Sequence, residues 1–131
     1  MKYLEKYSRN IIDYQFEYEG DKYKVEFTDK IKYWELSYYK WDIDKWSVTK
    51  TGKGNPYKIV DIVMGDILGK FIHQFSPKKI LIEGLPRERE REYVSPRTKL
   101  YLRYLRKNPP SGMDIHPKGE PINNKILLYS I

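Results

Sequence analysis

The chain changes its hydrophobic period once, near residue 56, and that change constrains its fold more than any other feature. Before it, apolar side chains alternate. Tyr14, Phe16 and Tyr18 share one face of residues 12–18, and Tyr23, Val25 and Phe27 share one face of residues 22–28. Period two means a strand with one buried face, and Gly20-Asp21 between the runs marks a hairpin. "KYWELSYYKW" continues the pattern with Trp34, Leu36 and Tyr38, and "KWSVTK" reads as a fourth strand. After residue 56 the spacing becomes four. Ile59, Val63, Ile67 and Phe71 form one row, and Val60, Met64, Leu68 and Ile72 form the next. Two such rows make the apolar stripe of a helix lying on a sheet.

The helix boundaries have chemical markers. Asn55 is a good N-cap and Pro56 a good first helical residue, while Pro77 closes the segment. Gly65 and Gly69 lie inside it, and each costs about 1 kcal/mol against alanine. Close approach of the helix to the sheet is the expected compensation. "KILIEG" then reads as a short, central, parallel strand. "SPRTKLYLRYLRKN" reads as a second helix with Ser95 as N-cap, and "MDIH" and "KILLYSI" as a closing strand pair. The expected fold class is α+β: a mixed, mainly antiparallel sheet with two packed helices, in the order ββββαβαββ. The 131 residues suit one domain, with residues 1–10 a flexible or reduced segment.

Charge and composition narrow the function classes. The net charge is +7, which favours polyanions or phosphorylated ligands. Residues 87–107 carry eight basic and three acidic side chains, so most of the excess lies there. The candidate polyanion-binding residues are Arg87, Arg89, Arg91, Arg97, Lys99, Arg103, Arg106 and Lys107. The bland alternative is a solvated charged face. The 13 tyrosines and 3 tryptophans concentrate in the strand region, where packing accounts for them. There are no cysteines, hence no disulfide and no thiolate metal site. Asp42 and Asp44 read as a turn, His73 and His116 as structural, and no metal is expected. The opening residues lack a signal-peptide run, and Asp61, Asp66 and Lys70 break the longest apolar region. A cytoplasmic, non-membrane protein is expected.

The stretch "TGKGNP" raises the sharpest question. Glycines at a helix start let backbone N–H groups approach a phosphate, but the same turn can simply cap a helix. The Walker pattern is not satisfied. The order of elements, this turn and the pair Leu100-Tyr101 resemble the GNAT N-acetyltransferase family over residues 12–131. The wording "TGKGNPYKIVDIVMGDIL", "PKKILIEG" and "SPRTKLYLRYL" is also similar to small proteins of tailed bacteriophages. The resemblance implies that acetyl-CoA docks on Gly52, Lys53, Gly54, Tyr57 and Lys58. It implies Tyr101 as general acid to the leaving thiolate, with Glu35 and Glu83 as candidate bases. The chain departs from the family pattern at Thr49, where Arg or Gln is expected, and at 94–96, where the usual asparagine is missing. The helices that shape the acceptor site are absent or reduced to residues 1–10. These departures favour a non-catalytic GNAT-like protein, whose 87–107 face binds nucleic acid or an acidic host protein. An acyl-CoA-dependent N-acyltransferase is the alternative.

Overall fold

The computed structural model describes residues 4–47, 56–83 and 94–131. Five strands come first: β1 (Leu4–Tyr7), β2 (Ile11–Tyr18), β3 (Asp21–Asp29), β4 (Trp34–Asp42) and β5 (Lys45–Ser47). A helical rod follows, made of α1 (Pro56–Val60), a π-helical stretch (Asp61–Ile67) and α2 (Leu68–Phe75). Then come β6 (Lys79–Glu83), α3 (Pro96–Lys107), β7 (Met113–His116) and β8 (Lys125–Ser130). The α+β class, with a mainly antiparallel mixed sheet, is as expected. The order differs by one strand, because residues 4–7 pair with β2 instead of forming a loose segment.

The sheet runs β1-β2-β3-β4-β6-β8-β7, with β5 attached to the far end of β4. Every neighbouring pair is antiparallel except β4 and β6. The cross-strand register lines up Tyr14 with Val25, Val25 with Tyr38, Leu36 with Ile82, and Ile82 with Ile126. These residues therefore share one face of the sheet, and all are buried there except Tyr38, which is half-buried. The rod and α3 both pack on this face. Phe71 of α2 is fully buried, stacked 3.8 Å from Phe27 and 5.1 Å edge-on to Trp34. A buried ring of this kind contributes roughly 3 kcal/mol through removal of apolar surface from water. Among the described residues no helix covers the opposite face.

Local chemistry explains the helix ends. The rod begins at Pro56, as its fixed φ favours, and stops at Ser76, whose left-handed φ of 46° precedes Pro77. Asn55 lies outside the described residues. α3 starts on Ser95, whose hydroxyl accepts from the Thr98 N–H at 3.2 Å. Asn124, from the loop before β8, reinforces this cap. Its Oδ1 accepts from the Ser95 N–H and the Thr98 hydroxyl, both at 2.7 Å. β1 is pinned to α2 by the Glu5–Lys70 ion pair, and Tyr7 leans on Phe75. Gly65 corrects an expectation. A Cβ there would meet the Tyr104 hydroxyl of α3 at 2.5 Å, so the close approach is helix to helix, not helix to sheet. Gly69 faces open space.

Candidate functional site

The one parallel pairing is short. Trp34, Glu35 and Leu36 of β4 match Ile80, Leu81 and Ile82 of β6. β4 then runs on to Asp42, and β5 takes up the same edge only at Lys40–Asp42. Between them, Ser37, Tyr38 and Tyr39 have no partner strand on that edge among the described residues. Phe71 and Phe75 of α2 pack against Trp34 at the start of β4, so the rod begins toward the opposite end of the sheet. Ser95 bonds to Asn124, next to Lys125, the partner of Glu83 at the C-terminal end of β6, so α3 begins at that end too. Open sheets receive ligands at the carboxyl ends of strands where the connections reverse, and helix N-termini add positive potential.

Three side chains from two elements lie close enough here to feel one another's charge: Tyr38 of β4, and Tyr101 and Arg97 of α3. Tyr38 faces the helices and stacks on Tyr23 at 5.9 Å with only 10° between the ring planes. Burial pushes its hydroxyl well above the usual tyrosine range; Tyr101 and Tyr23 add to this, while Arg97 pulls the other way. Tyr101 is 8% exposed. Burial raises its pKa too, against the Arg97 charge. Both hydroxyls hold their protons firmly at neutral pH, so they are built to donate hydrogen bonds and not to act as bases. α3 places Arg97 here because residues four apart on a helix share a face.

The other expected site residues are scattered. Leu36 and Ile82 point into the core, so strand alternation puts Glu35 and Glu83 on the opposite face. The two candidate bases thus lie across the sheet from Tyr101. Tyr57 is exposed in the first turn of the rod, beside exposed Lys58. Gly52, Lys53 and Gly54 lie outside the described residues, as do Arg87, Arg89 and Arg91. Arg97 differs from Lys99, Arg103, Arg106 and Lys107 of α3 in being half-buried, and its charge is felt by Tyr38 and Tyr101. Lys99, Arg103 and Lys107 are exposed, and none of them makes an ion pair among the described residues. Arg106 is exposed but occupied: its guanidinium donates to the carbonyls of Pro117, at 2.7 Å, and Gly119. α3 contains no carboxylate at all.

The histidines fall elsewhere. His73 is exposed late on α2. His116 ends β7 instead of standing in a loop, and its Nε2 lies 3.1 Å from Asp114, which also pairs with Lys118. Lys118, first, and His116 hold the Asp114 carboxyl below its ordinary value. The His116 ring packs edge-on to Tyr129, 5.1 Å between centroids. Two residues escaped the sequence reading. Tyr38 carried a signal, since "WELSYYKW" puts it on the core face, but its meeting with Tyr101 is tertiary. Asn124 carried none.

Comparison with known proteins finds no matching family model, no matching curated protein and no matching solved structure. No helix among the described residues is long and apolar enough to cross a membrane.

Proposed function

We propose that the protein is a non-catalytic, GNAT-like binding protein whose α3 face contacts the phosphates of nucleic acid. One observation carries this reading. α3 exposes Lys99, Arg103 and Lys107 in one stripe, without an ion pair among the described residues and without a carboxylate anywhere in the helix. Lys99 of this stripe sits near the helix start, where the helix dipole disfavours positive charge. That arrangement costs stability in the free protein and is offset when an anion binds. The separation of Glu35 and Glu83 from Tyr101 also supports a non-catalytic role.

The test is a fluorescence titration of short duplex and single-stranded DNA and RNA across a salt series. The variant Lys99→Gln/Arg103→Gln/Lys107→Gln should bind much more weakly. It should also flatten the slope of log affinity against log salt by about 2–3, the counterions of three phosphate contacts. An unchanged slope, or no binding by the native chain, rejects the reading. Capture of an acidic protein by the same stripe would then be the outcome to pursue.

A second reading is an acyl-CoA-dependent N-acyltransferase. It is favoured by the Tyr38–Tyr101–Arg97 cluster where β4 and β6 diverge. Such a site would receive the acyl thioester against protonated tyrosines, with Tyr101 donating its proton to the departing thiolate. Calorimetric titration with acetyl-CoA decides it. Micromolar binding that weakens on Arg97→Gln favours the enzyme, and absence of binding removes it.

A further inference from the structure

Ile31 stands at the tip of the β3–β4 turn and is 94% exposed. Its φ of 76° lies in the left-handed region, a steric outlier for a β-branched residue. Hydrogen bonds hold the turn in that shape. The Ile31 N–H donates to Asp29 Oδ1 at 2.8 Å. The Lys32 N–H donates to the Lys30 carbonyl and the Lys30 N–H to the Tyr33 carbonyl, both at 2.9 Å. The Asp29 N–H ties the turn to the Asn10 carbonyl at 2.8 Å. An apolar side chain is thus held rigidly in water, and strain of this sort clusters at binding segments.

The rim of the sheet around this tip is basic. Lys30 and Lys32 flank Ile31. Arg9 lies beside Asn10, which the turn bonds. Lys78 lies just ahead of β6, whose Ile80 pairs with Trp34 at the start of β4. All four cations are exposed, and none makes an ion pair among the described residues. Three strand spacings separate β2 from β6, so the row is about 15 Å wide. Lys79 stands behind it, 5.9 Å over the Tyr33 ring. Against these charges the rim has one acidic side chain among the described residues, Asp29, and the Ile31 N–H occupies one of its oxygens. Asp13, Glu35 and Asp114 stand further into the sheet, on its open face, and Asp114 already pairs with Lys118.

Ile43, in the turn after β4, supplies a contrast within the molecule. It is 92% exposed with a φ of 59°, but Asp42 and Asp44 flank it. A single exposed isoleucine needs no partner to explain it. An isoleucine on a rigid turn, in a row of cations, fits a surface that is anionic outside and apolar beneath. A bilayer with acidic headgroups is both. The phosphates of nucleic acid would use the cations and leave Ile31 in water.

We infer that this end of the sheet docks on an anionic lipid surface. Ile31 enters the boundary between headgroups and acyl chains, while Arg9, Lys30, Lys32 and Lys78 meet the headgroups. The lysine stems lie along the apolar tip and keep their ammonium groups at headgroup level. The contact is peripheral and is a separate matter from crossing a bilayer. One apolar side chain and four cations make it weak and reversible, and salt screens it. The inference is independent of the nucleic-acid reading, because none of these residues belongs to α3.

Co-sedimentation of the full chain with vesicles tests it. The native chain should bind vesicles of equimolar phosphatidylserine and phosphatidylcholine but not phosphatidylcholine alone. It should be released in about 1 M salt. Asparagine suits left-handed backbone, so Ile31→Asn should melt no lower than the native chain. Its vesicle affinity should nevertheless fall about tenfold, the loss of one buried isoleucine side chain. Lys30→Glu/Lys32→Glu should abolish measurable binding, and Ile43→Asn should bind like the native chain. A native chain that does not bind the acidic vesicles overturns the inference. So does Ile31→Asn binding as tightly as the native chain, because the contact is then with charge alone. Binding abolished by Lys99→Gln/Arg103→Gln/Lys107→Gln overturns it too, by placing the contact on α3.

Discussion

Tyr14 shows how a single group can cost stability in the middle of a well-packed layer. Its ring is fully buried on β2, 5.9 Å edge-on to Phe27, yet its hydroxyl is buried with no hydrogen-bond partner among the described residues. Removing the hydroxyl as Tyr14→Phe keeps the ring and should stabilise the protein by about 1 kcal/mol at neutral pH. Burial, then Glu5 and Tyr7, push the Tyr14 pKa up to about 12. The unfolded chain therefore ionises this group first. The native state holds its proton longer, so this group's contribution is intact below about pH 10 and is lost as pH rises toward 12. Urea unfolding at several alkaline pH values should show Tyr14→Phe losing about 1.4 kcal/mol per pH unit less steeply than the native chain over that window. Equal slopes would mean that the hydroxyl is solvated after all.

At the scale of elements, the rod and α3 are keyed together at one point. The Tyr104 hydroxyl of α3 donates to Asp61 Oδ1 at 2.5 Å, over the space left by Gly65 in the π-helical stretch. Burial first, and Asp61 next, raise the Tyr104 pKa to about 12, so it is a firm donor. Gly65→Ala would gain about 1 kcal/mol of helix propensity. The new Cβ displaces the hydroxyl, and the lost hydrogen bond offsets that gain by about the same amount. In a Tyr104→Phe background the ring edge stands 3.5 Å away, an ordinary contact, so the gain should reappear. Gly69→Ala, with nothing within 4 Å, should show it in the native chain. Thermal unfolding of the four-variant cycle reads the coupling. Independent effects at Gly65 and Tyr104 would refute the keying.

Across the whole molecule, the buried strand side chains of the core lie, among the described residues, on one face of the sheet. The rod and α3 lie side by side on it, and the loop before β8 reaches back through Asn124 to seat the first turn of α3. That seat fixes the start of the helix that carries the exposed stripe of Lys99, Arg103 and Lys107. The cationic stripe and the packed layer beneath it therefore depend on the same helix seat. Charge is distributed as unevenly as apolar surface. α3 carries cations and no carboxylate. Phosphate binding on α3 predicts a strong salt dependence of nucleic-acid affinity.

Much of this architecture was legible in residue order because it rests on local rules. Alternation assigned the core faces of β2, β3 and β4, four-residue spacing assigned the rod, and Ser95-Pro96 marked the start of α3. Those signals depend only on backbone period and on chain-local hydrogen bonds. β1 was not legible. Four residues with one inward carboxylate carry no pattern until β2 and Lys70 supply partners. Nor was the use of each glycine, since which surface approaches Gly65 depends on where α3 lies. The candidate site divides in the same way. The sequence marked Arg97 only as a polyanion-binding candidate, although its spacing of four from Tyr101 puts the two on one side of α3. Only the crossing of the sheet brought Tyr38 to that pair, put Glu35 and Glu83 on the far face, and committed Arg106 to the 117–119 carbonyls. Sequence by itself determined which side chains share a face, because periodicity is a property of one element. Tertiary structure decided which faces meet, because that depends on long-range packing that no single segment encodes.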